Sequence, residues 1–175
     1  MTAPEFSRPV RVDTIGAEPR RLEIEARAEE AAALARRFGL VEIRRLAADL
    51  RLSRKGMEAR ADGRLKAEVV QSCVATAAPI EARLDEPFEI LFRPLPDAAR
   101  AEDEVELNET DMDVVFYDGA SIDLGEAVAE TLSLALDPYP RAPDAGEALK
   151  AAGVRSEEEA GPFGALAALR DKMRK

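Results

Sequence analysis

The chain has 175 residues, no histidine, a single cysteine, and 35 acidic against 25 basic side chains, for a net charge of −10. The missing imidazoles remove the usual general base near neutral pH and the commonest metal ligand, and one cysteine forbids an intrachain disulfide or a cysteine-built zinc site. Such an acidic chain grips phosphate only through a local basic patch, while its overall field attracts basic partners.

In chain order, Val10–Ile15 and Arg21–Ala26 read as two short strands joined by a turn over Gly16 to Pro19. AEEAAALARRFG, from Ala28 to Gly39, reads as an amphipathic helix. Acids occupy its first turn and arginines its last; Ala31, Leu34, Ala35 and Phe38 share one face, and Gly39 fits just past the C-terminus. From Leu40 to Phe92 the apolar period is mostly two. Its parity slips between Val41/Ile43 and Leu46/Ala48, which predicts a bulge near Arg45. Asp62-Gly63 carries a hairpin signal, and Pro87 predicts an edge or an interruption.

After Pro94-Leu95-Pro96 comes an acid-rich stretch, about 97–112. It reads as a solvated, flexible loop, with an acidic arm for a basic partner as the sharper alternative. Strand character returns at MDVVFYDG, with Val114 and Phe116 on one side. Asp123 and Glu126 form an acidic capping box ahead of a helix whose face carries Leu124, Val128, Leu132, Ala135 and Leu136. Pro138 stops that helix, and about 137–161 reads as a proline-containing connector with one short helical turn. A last helix begins at Pro162, carries Phe163, Leu166 and Leu169, and ends in the basic LRDKMRK.

The expected architecture is α+β: one domain over 1–175, with an antiparallel curved sheet or partly closed barrel of several strands and three main helices. The sequence has no long apolar run of a membrane span and no signal-peptide core, so a cytoplasmic location is expected.

Catalytic and cofactor motifs are absent from the sequence. GAS at Gly119 and GPFGA at Gly161 lack the spacing of a phosphate loop. The carboxylates Asp111, Asp113, Asp118 and Asp123 offer the one hydrolytic alternative, a metal-assisted hydrolase or nuclease, although strand edges and helix caps account for them more simply. Cys73, beside Val74 and Ala75, reads as a small buried side chain. Candidate partner contacts are Tyr139 and Arg141 in DPYPR, where prolines hold the chain extended, and Phe163 and Leu166 on the last helix. Arg44 and Arg45 stand in a basic group with Arg36, Arg37, Arg51, Arg54 and Lys55 that could meet RNA directly.

Three segments, in this order, resemble the YceD family: VVQSCVATAAPIEARLDEPFEILF, the acidic linker running into DVVFYDGASIDLGEAVAETLSLALDPYPR, and GPFGALAALRDKMRK. Together they span about two thirds of the chain. The resemblance departs in two places: Thr76 stands where many relatives have the second cysteine of a Cys-x-x-Cys pair, and Gly161 replaces the usual Asn before Pro162. A redox or zinc role for the paired form cannot operate with Cys73 alone. The resemblance implies a bacterial or plastid factor for large-subunit (23S) ribosomal RNA accumulation and ribosome assembly, with no chemistry assigned. It also implies a neighbourhood of small basic ribosomal proteins. Joined to the charge, it makes the expected partner a basic ribosomal protein of the large subunit, the large-subunit rRNA precursor, or both, with no enzymatic step and no cofactor.

Overall fold

The structure is a computed structural model that describes residues 4–96 and 113–154. The chain divides into two compact units, Met1–Gln71 with Glu81–Asp137, and Ser72–Ile80 with Pro138–Lys175.

In the first unit, β1 (Pro9–Arg11) leads through a 3-10 turn (Val12–Thr14) to β2 (Arg20–Glu25) and α1 (Ala28–Phe38). Three long strands follow: β3 (Glu42–Lys55), β4 (Glu58–Ser72) and β5 (Pro79–Pro94). After the acidic stretch come β6 (Asp113–Tyr117), β7 (Ser121–Asp123) and α2 (Leu124–Ala135). A five-stranded sheet runs in the order β2-β3-β4-β5-β6, antiparallel at β2/β3 and β3/β4 and parallel at β5/β6. The fold is therefore α+β with a mostly antiparallel sheet. It does not close into a barrel among the described residues, since β2 and β6 are its terminal strands.

Local signals placed α1 and α2 well. α1 stops where Gly39 takes the left-handed conformation (φ 66°), which a glycine adopts without a Cβ penalty. α1 packs on β3 through Ala31, Leu34 and Ala35. α2 starts at Asp123, whose carboxylate accepts from the Gly125 and Glu126 N–H groups at 3.0 and 3.2 Å. The expected capping box is only half formed, because Glu126 turns outward to Arg37 rather than back to the cap. Leu124, Val128 and Leu132 are buried as expected.

The bulge lies where the parity slips, between Ile43 and Arg45. Arg44 and Arg45 both face solvent there, so Ile43 and Leu46 can both enter the core. Two other expectations are corrected. Asp62-Gly63 is not a turn; the β3–β4 hairpin closes at Gly56-Met57, with Gly56 at φ 63°. Gly63 lies in mid-strand opposite Leu50, where a Cβ would run into the Asp49 carbonyl oxygen, so the strand pairing demands glycine. β1 pairs with the distant β7, Val10 opposite Ile122, instead of with β2. Of the two outcomes expected at Pro87 the structure takes the edge: β5 runs through it, and among the described residues β6 pairs with β5 only from Ile90 onward, so no described strand meets Pro87 on that side.

One core fills the unit. Phe6 and Leu34 are fully buried with Leu46, Leu65, Phe92 and Leu132. In the second unit, α3 (Ala145–Ala151) supplies the short helical turn expected in the connector, capped without a side-chain bond at Asp144. The final helix expected from Pro162, with Phe163, Leu166 and the basic tail, lies outside the described residues, as do the acidic stretch 97–112 and Asp111.

Candidate functional site

Most guanidiniums of the expected basic group are already engaged, whereas Arg36 and Lys55 stand exposed. Arg44 binds Glu42 and Glu81 at 3.1 and 2.8 Å, and Arg45 binds Glu25 at 3.0 Å. Arg37 is held by Glu5 and Glu126 at 3.2 and 2.6 Å, and these carboxylates keep its pKa above the ordinary arginine value. Arg51 pairs with Asp62, and the Arg54 guanidinium donates to the Ile15 carbonyl. Bonding to carboxylates leaves Arg37, Arg44, Arg45 and Arg51 less able to neutralise phosphate.

The same pattern covers the solvent face of the sheet. Outward residues on β2, β3, β4 and β5 form cross-strand pairs: Arg21–Asp49, Arg60–Glu89, Arg64–Asp85 and Arg93–Glu58. Arg64 also stands directly opposite Asp49 in the β3/β4 register. Alternation explains the ladder, since every second residue leaves the core and opposite charges meet on adjacent strands. Individually such exposed pairs contribute under about 1 kcal/mol each. Their collective effect is a surface with its charge locally cancelled. A shallow concavity of about 420 Å³ opens over Gly63, ringed by Arg21, Asp49, Arg51, Asp62 and Arg64. Its guanidiniums are already matched by these carboxylates and Asp85.

The described carboxylates of the hydrolytic alternative do not converge on one another. Asp123 is committed to the α2 cap, to the Arg8 N–H at 2.7 Å and to the Ser7 hydroxyl. Asp113 and Asp118 stand exposed at opposite ends of β6. Among the described residues no group of three potential metal ligands comes together.

In the second unit, DPYPR divides between backbone and side chains. The Pro140 carbonyl accepts from the Val74 N–H at 2.9 Å, and the Ala142 N–H donates to the Cys73 sulfur at 3.3 Å. The prolines thus lay this backbone along the 73–78 turn, while the Tyr139 ring is 73% exposed and Arg141 also faces solvent. Cys73 is buried, as expected. The Ala142 N–H, followed by the Thr76 side chain, pulls its thiol down to about 7. Thr76, the residue in place of a second cysteine, therefore acts on Cys73 as a hydrogen-bonding neighbour.

A feature that the charge-based reading missed lies on β5 and β6. Phe92 and Val115, and Pro94 and Tyr117, pair toward the core side, so Leu91 and Arg93 share the opposite face with Val114 and Phe116, and Leu95 continues that alternation just past β5. Leu95 and Phe116 are 55% and 52% exposed there. The sequence signal was present in the even parity of Val114 and Phe116; which face met the core was not.

The described surface thus combines many paired guanidiniums with an apolar strip on β6, in an acidic α+β protein. The chain matches, over residues 61–170, the family model described as large ribosomal RNA subunit accumulation protein YceD, and it belongs to that family. No curated protein and no solved structure matched it. The matched segment begins within β4 and includes β5, β6, α2 and the connector, whereas Arg36 to Lys55 precede it.

Proposed function

We propose that this protein is a non-enzymatic factor that supports accumulation and processing of 23S rRNA during assembly of the large ribosomal subunit. It does so by binding a basic ribosomal protein or the nascent rRNA. The observation that carries the reading is the family match over residues 61–170, whose description concerns accumulation of large ribosomal RNA. The net charge of −10 and the pairing of Arg37, Arg44, Arg45 and Arg51 with carboxylates support the protein partner over naked RNA.

Depletion of the protein lowers the ratio of large- to small-subunit rRNA, and affinity-tagged full-length chain recovers large-subunit precursor particles with ribosomal protein. An unchanged rRNA ratio on depletion contradicts the proposal. Recovery of protein-free rRNA at moderate salt favours direct RNA binding. The carboxylate hydrolase makes the opposite forecast: RNA cleavage dependent on a divalent ion and abolished by Asp113→Asn with Asp118→Asn.

A further inference from the structure

Three surfaces present themselves. The alanine-lined hollow between α1 and β3, about 570 Å³, has nothing beside it that specifies an occupant. The Cys73 sulfur is already satisfied within its own turn. The outward strip of β5 and β6 has both chemistry and charge.

We infer that the solvent face and outer edge of β6 receive an extended, Lys/Arg-rich protein segment, whose intervening apolar residues pack on Leu95, Val114 and Phe116. This rests on the binding reading above and specifies where the cationic partner sits.

The argument begins with topology. Among the described residues β6 is the terminal strand and pairs with β5 alone, so on its other side no described strand takes the alternate N–H and C=O groups that an added strand needs. The apolar face next to that edge is laid out with strand periodicity, Val114 then Phe116, and Leu95 follows just past β5, its N–H donating to the Tyr117 carbonyl at 3.0 Å. An incoming strand presents its own side chains at the same two-residue period, so apolar positions alternating with basic ones suit this surface.

Charge then selects the partner. Arg93 is bound to Glu58 at 2.9 Å and Arg60 to Glu89 at 2.5 Å, so the nearby guanidiniums are neutralised. Asp113 and Asp118, at the two ends of β6, have no ion pair among the described residues. The segment DAARAEDEVELNETDM, which covalently joins Pro96 to Asp113, contributes seven carboxylates against one arginine. The unpaired charge at the two ends of β6 is thus negative, in a chain whose net charge is −10. RNA would be repelled from this surface, and a cationic peptide drawn to it.

Binding of two fluorescent probes to the full chain tests this: a short peptide alternating lysine with valine, and an oligolysine of equal charge. The alternating peptide should bind more tightly. Phe116→Ser should weaken it about tenfold and leave oligolysine unchanged, because the substitution removes apolar contact without altering charge. Leu95→Ser, at an equally exposed position, should act in the same direction, and unchanged melting temperatures verify that both variants fold. Equal affinity for the two peptides, or no effect of Phe116→Ser, overturns the inference.

Other occupants give their own overturning results. Single-stranded RNA bound by the wild type and lost in Phe116→Ser assigns the strip to nucleic acid. A dimer that Phe116→Ser converts to monomer assigns it to a second copy. Tighter peptide binding after Glu102, Glu104 and Glu106 are changed to Ser assigns it to the chain's own linker. If Phe116→Ser still recovers large-subunit precursors as wild type does, only this surface assignment fails. If the wild type recovers none, the binding reading itself fails.

Discussion

Arg8 and Glu30 meet through both ends of both side chains: Arg8 Nη1 donates to Glu30 Oε1 at 2.9 Å, and Nη2 to Oε2 at 2.8 Å. The same carboxylate accepts from the Arg27 backbone N–H and guanidinium, each at 2.8 Å, closing the first turn of α1. The Arg8 guanidinium also lies 4.6 Å from the Phe6 ring centre. This one carboxylate therefore ties the N-terminal segment to the helix, and its burial makes the geometry matter.

Glu30→Ala should cost about 3 kcal/mol in denaturant unfolding, because it removes the buried carboxylate that Arg8 and Arg27 share and leaves Arg8 only the Ser7 and Glu25 carbonyls. The pH dependence follows from the sign. The Arg8 and Arg27 hydrogen bonds hold the Glu30 carboxyl far below its ordinary 4.5. Its stabilisation is complete above that ordinary value and is lost as pH falls through the lowered one. Wild type should lose stability below about pH 4.5, and Glu30→Gln should show a shallower acid limb.

Gly63→Ala should destabilise by about 2–3 kcal/mol, since a Cβ there meets the backbone at Asp49 and Leu50. Gly56→Ala, at φ 63° in open space, should cost only about 1 kcal/mol of backbone strain. Paired urea titrations check the order. Equal effects would place the hairpin turn at Gly63 after all.

Asp123→Ala should lower stability by about 1–2 kcal/mol, read as a shift in thermal midpoint. The change removes the α2 cap and the acceptor of the Arg8 N–H and Ser7 hydroxyl together. Asp123→Asn, which retains an acceptor oxygen, should recover most of the loss.

Cys73 should react slowly with iodoacetamide in the folded chain and rapidly in urea, because its sulfur is buried. Its thiol is lowered from 9.0 to about 7, led by the Ala142 N–H. The stabilisation this brings is complete above the unfolded value and is lost as pH falls from about 9 to 7. Relative to Cys73→Ala, wild type should gain stability across that window, and Thr76→Val should reduce the gain.

The helices and the bulge were legible because their causes are close in sequence. Gly39 ends α1 from the adjacent position, and Asp123 caps α2 two and three residues away. Two successive arginines at 44 and 45 displayed the parity slip directly. Asp62-Gly63 misled for the opposite reason. The dipeptide favours a turn locally, but Gly63 is required by a carbonyl on another strand. The Arg44 and Arg45 group was legible as a set of charges, whereas their pairing with Glu81 and Glu25 depended on strand neighbours.

The sequence by itself determined the net charge, the lack of imidazoles, the two capped helices and the alternating strands, all properties of composition or of neighbours within a turn. Tertiary structure alone decided that β1 joins β7, that β6 lies parallel to β5 and that Phe116 faces outward. Backbone hydrogen bonds between strands carry no residue code, so partner and register are selected by the best joint burial of the whole core.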